Sequence, residues 1–225
     1  MPYLKIFVIL VSCGMISCTA TKPLTSHVTP GEVTSLKLLE PFAYLEMIEK
    51  GNKALPDDSL SDISRLLNMQ VLNNMNDQIP ISGDIILKDP KINKTLEQEY
   101  EYLMISAERD KSISHLKITP TLDKILEANE TRFGLIIVSS GFTRVKGNYA
   151  KQILKGGALG ILTLGMYYQT PVKAYSTIYA MIVDSKDDNI AFFRKSFLPD
   201  REPLDPLVLT KQYKKIFDGY FLSKN

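Results

Sequence analysis

From residue 36 onward the chain alternates short apolar runs with amphipathic stretches, and the spacing of the apolar positions predicts a sheet carrying helices. Residues 36–48 (LKLLEPFAYLEMI) are apolar-rich and interrupted by Pro41, which reads as one or two strands ending in a turn at Lys50-Gly51-Asn52. In residues 62–75, Ile63, Leu66, Leu67 and Met75 share one helical face, Val71 lies near its edge, and Ser61 stands where an N-cap belongs. Residues 79–87 (IPISGDIIL) read as a short strand; Pro80 has no N–H to give a neighbour, so the strand belongs at a sheet edge. Thr95-Leu96-Glu97-Gln98 has the form of a capping box, and Tyr100, Leu103, Met104 and Ala107 follow at i, i+3, i+4 and i+7. Thr119 before Pro120 marks a further helix start, with Leu122, Ile125 and Leu126 as its stripe.

Residues 133–138 (FGLIIV) form a continuous apolar run, the pattern of a central strand covered on both faces. Residues 177–183 and 190–197 read as two more strands joined by the polar hairpin turn 184–189. The last helix is marked by Leu209, Tyr213, Ile216, Phe217 and Tyr220 at i, i+4, i+7, i+8 and i+11, with Lys211, Lys214 and Lys215 turned outward. This order predicts an α/β (α+β) fold: a mixed sheet of about five strands with flanking helices, a closing hairpin and a C-terminal helix, in a single domain over residues 36–225.

Residues 1–35 break the pattern. Lys5 precedes an apolar or small run of twelve residues, 6–17, too short for a bilayer span of about 20 residues but the length of a signal-peptide core. Both cysteines of the chain fall here, Cys13 and Cys18, each preceded by a serine. This resembles the bacterial lipobox, in which the signal is cut before a cysteine that then receives acyl chains. Cutting at Cys18 leaves an apolar run of normal length, whereas Cys13, the alternative, matches the lipobox leucine better but leaves seven residues. The chain then divides into a signal peptide (1–17), a Thr/Ser/Pro/Gly-rich flexible tether (18–35) and the folded domain. Two or three acyl chains, at about 0.8 kcal/mol per buried CH₂, would hold the protein stably on a membrane. No cysteine lies beyond Cys18, which removes disulfides, thiolate metal sites and a cysteine nucleophile from the mature domain.

Charge changes the picture little. With 27 Lys plus Arg against 25 Asp plus Glu, there is no electrostatic case for a nucleic-acid partner. Residues 160–165 (GILTLG) carry the glycine spacing of a P-loop, but Met166 and Tyr167 stand where the lysine and hydroxyl are needed. His27 and His115 have no metal-ligating neighbour in sequence, and Asp184, Asp187 and Asp188 lack calcium-loop spacing and read as a solvated turn. No cofactor, metal or catalytic residue is expected. Two segments stand out instead. Beyond the central strand, Phe142, Arg144, Lys146, Tyr149 and Lys151 read as an interaction loop suited to an anion, a glycan or an acidic headgroup. Residues 156–172 (GGALGILTLGMYYQTPV) carry no charge and four glycines, with Leu159, Ile161, Leu164, Met166 and Tyr167 as candidates for insertion into a membrane or for burial over the sheet.

Leu38-Leu39-Glu40-Pro41-Phe42, the Leu60-Ser61 helix opening, the run from Arg132 to Val138 and Ile182-Val183-Asp184 resemble the α/β domain of periplasmic lipoproteins. These include the TolB amino-terminal domain, the curli-secretion lipoprotein and the penicillin-binding-protein activators. The chain as a whole resembles uncharacterised outer-membrane lipoproteins of Bacteroides-like bacteria. The absence of acidic residues in Thr19-Ala20-Thr21-Lys22 implies, on that resemblance, the periplasmic face of the outer membrane. The expected function is therefore a non-catalytic envelope lipoprotein, membrane-bound through its N-terminal lipid, that docks onto an unknown envelope protein or onto copies of itself. The alternative is an oligomeric secretion or pore component that inserts residues 156–172 in the membrane, as the curli-secretion family does with its hairpins.

Overall fold

A computed structural model describes residues 19–151 and 172–222. Its centre is β7 (Phe133–Arg144), which extends six residues past the expected run. On one side β7 pairs antiparallel with β8 (Tyr175–Asp184), and β8 forms a long hairpin with β9 (Asn189–Pro199). On the other side two short strands share its edge, both parallel to it. β3 (Leu36–Leu39) takes the first half and β4 (Phe42–Ile48) the second, from Phe42 opposite Val138 to Ile48 opposite Arg144. Pro41 falls between them, where the chain steps from one partner to the next. Outside β3 lies β6 (Ile81–Ile85), at the edge Pro80 predicts, and outside β4 lies the three-residue β5 (Ala54–Pro56).

The sheet thus holds nine strands rather than about five, although the α/β class stands. Two of the additional strands are in the segment expected to be a free tether. β1 (Thr19–Ala20) and β2 (Leu24–Thr25) both pair antiparallel with the outer edge of β9, and Val28 and Val33 are buried in the core. The cause is an edge strand that needs a partner together with a buried cation. The Arg194 guanidinium, on β9, donates to the carbonyl of Thr21 at 2.8 Å and to those of Ile216 and Asp218 at 3.1 and 2.9 Å. It therefore ties the N-terminal segment to the end of the last helix, whose unpaired carbonyls carry partial negative charge.

Helices cover both faces, which is why β7 reads as a continuous apolar run. Phe133, Leu135 and Ile137 pack with α1 (Asp58–Asn73) and α4 (Pro206–Phe217), while Ile136 packs on the opposite side with α2 (Pro90–Asp110) and α3 (Pro120–Ala128). Leu209, Tyr213, Ile216 and Phe217 are buried as their spacing predicts, and α3 starts at Thr119 with Pro120 as its first residue. Two helix starts differ. Asp57, not Ser61, caps α1 by accepting from the Leu60 amide, and Asp89, not Thr95, caps α2 by accepting from Lys91. Ser61 instead donates to the Asp57 carbonyl and accepts from the Leu45 amide, fixing α1 to β4.

The buried face of α1 also differs from the apolar stripe. Ser64, Asn68, Val71 and Leu72 face the sheet, whereas Ile63 and Leu66 are 46% and 57% exposed. A polar network decides the rotation. Asn68 donates to the Ser64 carbonyl at 2.8 Å and to the Ser139 hydroxyl of β7 at 3.2 Å, and accepts from the Tyr213 hydroxyl of α4 at 2.6 Å. Burial pushes the Tyr213 phenol well above its usual pKa, so it remains a donor. The hairpin turn is likewise not simply solvated: Asp184 is fully buried and held bidentately by Arg132, which also reaches Asp187, and Asp187 meets His27.

Arg194→Ala strands three carbonyls and is expected to destabilise the fold by on the order of 3 kcal/mol. Limited proteolysis should then open cleavage within residues 21–35 before the rest of the domain. Tyr213→Phe and Asn68→Ala are each expected to cost about 1–3 kcal/mol, and a double-mutant cycle in urea should show the pair to be strongly non-additive.

Candidate functional site

Of Phe142, Arg144, Lys146, Tyr149 and Lys151, the first two close β7 as strand rather than loop, and the other three follow it. Residues 139–144 remain strand because both flanks stay paired, to Tyr175 of β8 and to Ile48 of β4. Phe142 meets Tyr175 edge to face at 4.8 Å, and the Arg144 guanidinium lies 5.3 Å from the Phe142 ring. Arg144 donates to the carbonyl of Val172 at 2.9 Å and to the Asn52 side chain at 2.6 Å, and burial lowers its pKa from the ordinary value. Asn148, opening a helical turn, donates to the carbonyls of Ile48 and Glu49. Phe142 and Arg144 are thus committed to structure, Tyr149 is half-buried, and Lys146 and Lys151 are exposed. Leu159, Ile161, Leu164, Met166 and Tyr167 lie outside the described residues, as do Cys13 and Cys18.

A second feature is not apparent from the linear pattern. Between α2 and the sheet runs an open groove of about 510 Å³, lined by Tyr44, Val138 and Tyr179 below and Glu97, Glu101 and Ile105 above. Tyr44 donates to Glu97 at 2.7 Å, and its phenol is raised well beyond its ordinary pKa, first by burial and then by that carboxylate. At the far end Lys195 pairs with Glu108 and stands 5.0 Å over the Tyr179 ring. Ring faces below carboxylates make a recognition surface that favours cationic or amphipathic groups. Glu97, Glu101, Ile105 and Glu108 recur at helical spacing, so the stripe was there to be read; which strands lie beneath it depends on the topology.

Among the described residues, no three His, Cys, Asp or Glu side chains are placed to hold a metal ion, and no helix is long and apolar enough to cross a membrane. No family model matches the chain, and no curated protein matches it. Among solved structures, the PelC dodecamer from Paraburkholderia phytofirmans is similar over 92% of this chain and 100% of its own, at 7% identity and a TM-score of 0.41. A point variant of the same dodecamer is similar at 8% identity over 99% of its own chain, with the same score. At that score the likeness bears on neither fold nor function, and the functional reading rests on this chain's own residues.

Arg144→Ala is expected to cost about 1–2 kcal/mol in a thermal or urea melt, whereas Lys146→Ala and Lys151→Ala stay within about 0.5 kcal/mol. Glu97→Gln should lower the pKa of the Tyr44 phenol part of the way towards its ordinary value, the share due to burial remaining, measured by tyrosine-ring NMR across an alkaline titration.

Proposed function

We propose that the protein is a non-catalytic lipoprotein of the bacterial outer membrane, acylated at Cys18 and facing the periplasm, whose α/β body is a docking or assembly module. The carrying observation is that the chain is already paired into the sheet one residue after Cys18. The apolar segment 6–17 ends at Cys18, and the next residue, Thr19, already lies in β1, paired with Phe197. An acyl group on Cys18 therefore holds the body directly at the membrane, with no spacer between. The groove under α2 supports the docking role: Tyr44 and Ile105 are 45% and 55% exposed there, beside a rim of carboxylates.

Extraction of the native protein from envelopes in detergent tests this, read by the mass of the N-terminal peptide and of the intact particle. The expected result is a terminus at Cys18 carrying diacylglycerol and a further acyl chain, on a monomer or a complex with a different protein. An uncleaved or unacylated terminus overturns the anchor. An acylated ring of identical chains replaces docking with the secretion reading and makes residues 156–172 the next target.

A further inference from the structure

We infer that the end of the sheet carrying Arg144 is the face that lies on the membrane, held against anionic phospholipid headgroups by Lys50, Lys53, Lys146 and Lys151. The inference rests on acylation at Cys18 and adds an orientation and a lipid class to it. Its first basis is connectivity. Phe142 lies opposite Tyr175 and Tyr175 opposite Pro199, so the ends of β7 and β9 coincide with the start of β8. Ile48, opposite Arg144, brings the turn 49–53 to the same end. Thr19 pairs with Phe197, two residues from Pro199, and because β1 runs antiparallel to β9 it is the residue of β1 nearer that end. A residue spans at most about 3.8 Å from one Cα to the next, so an anchor on Cys18 keeps this end close to the bilayer.

The second basis is charge. Lys50, Lys53, Lys146 and Lys151 are exposed, and none meets a carboxylate among the described residues. Lys173 and Arg201 add two more cations, against Glu49, Asp200 and Glu202. The opposite end has the reverse balance, with Glu32, Glu130, Asp187 and Asp188 exposed or half-buried around Arg132 and Lys186 and with Lys117 paired to Asp188. A protein of nearly neutral net charge thus carries, at the end of the sheet nearest Thr19, four exposed lysines without a carboxylate partner among the described residues. Headgroup phosphates attract lysines that come within a Debye length of about 8–10 Å, and an anchor without a spacer turns this end of the sheet towards them.

The test uses the mature acylated protein in vesicles of phosphatidylethanolamine and phosphatidylglycerol containing a headgroup-spin-labelled lipid. Cys13 is lost with the signal and Cys18 is acylated, so a fluorophore on Arg201→Cys or on Lys186→Cys labels one end alone. Quenching is expected to be several-fold stronger at position 201 than at 186. That difference should shrink when Lys50, Lys53, Lys146 and Lys151 are all changed to Glu, or when phosphatidylcholine replaces phosphatidylglycerol. A circular-dichroism melt checks that the four-site variant stays folded, since these side chains make no ion pair that folding needs. Equal quenching at the two positions, or indifference to both charge reversal and lipid charge, overturns the orientation. The N-terminal mass keeps the two failures apart: an unacylated terminus defeats the anchor, whereas an acylated terminus with equal quenching defeats only the orientation.

Discussion

β7 runs through the middle of the protein with strands paired along both its edges, and a buried peptide group without a partner costs as much as a lost hydrogen bond. With twelve residues to satisfy on two edges, the strand needs more partner length than any one neighbour on its parallel side supplies. β8 covers one edge from Phe133 to Phe142, while the other is shared by β3 and β4 in succession, with Pro41 between them. The helices follow from the same constraint, because the alternating residues of β7 present apolar surface on both sides. Ile137 is sealed by α1 and α4 and Ile136 by α2 and α3. Gly141 shows how closely the β7–β8 pair is fitted: a Cβ there would lie 2.3 Å from the Tyr175 carbonyl oxygen.

Polar groups inside that apolar frame fix its details. Turning α1 to bury Ile63 and Leu66 would gain roughly 1.5–3 kcal/mol per side chain, yet both remain exposed. The alternative would strip Tyr213 and Ser139 of their shared partner, and unsatisfied buried groups cost about 1–3 kcal/mol each. The terms are comparable in size, and the structure has the rotation that leaves Asn68, Ser139 and Tyr213 mutually bonded. Arg194 plays the same part at the sheet's outer edge. Its charge is compensated by backbone carbonyls from two segments far apart in sequence, so the N-terminal strand and the end of α4 are placed by one side chain.

What the sequence made legible was the set of elements whose apolar pattern is set by burial alone. β7, the β8–β9 hairpin, α3 and α4 were all visible in this way, as was the Leu103, Met104 and Ala107 face of α2. What it concealed has a common cause: a choice between local signals decided by a distant partner. Ser61 and Thr95 both look like caps, but Asp57 and Asp89 precede them with carboxylates that accept more strongly from an amide. Residues 19–35 have the composition of a tether, and it is the open edge of β9, the Arg194 guanidinium and the core that takes Val28 and Val33 that give them something to bind. At the candidate site, Lys146 and Lys151 are exposed as expected, whereas Arg144 is engaged by Asn52, a partner 92 residues away.

The two surface features of opposite charge are compatible because of where the sheet puts them. Ser140, at the floor of the groove, is four residues from Arg144, which at about 3.3 Å per residue sets it about 13 Å back from the lysine-bearing end. That exceeds a Debye length of about 8 Å at physiological salt, so the carboxylates of Glu97 and Glu101 are largely screened from an anionic surface meeting the lysines. The groove also opens along the α2 side of the body rather than at its tip, since its walls are α2 and the strand face beneath. If Cys18 is acylated as proposed, the body would therefore keep its acidic, aromatic groove clear of the bilayer. A flexible tether would let every orientation be sampled and the groove meet the membrane as often as a partner. Ordering residues 19–25 on β9 would confine the proposed anchor to one end of the sheet, and that confinement would turn a separation of charge along the strands into a separation of roles.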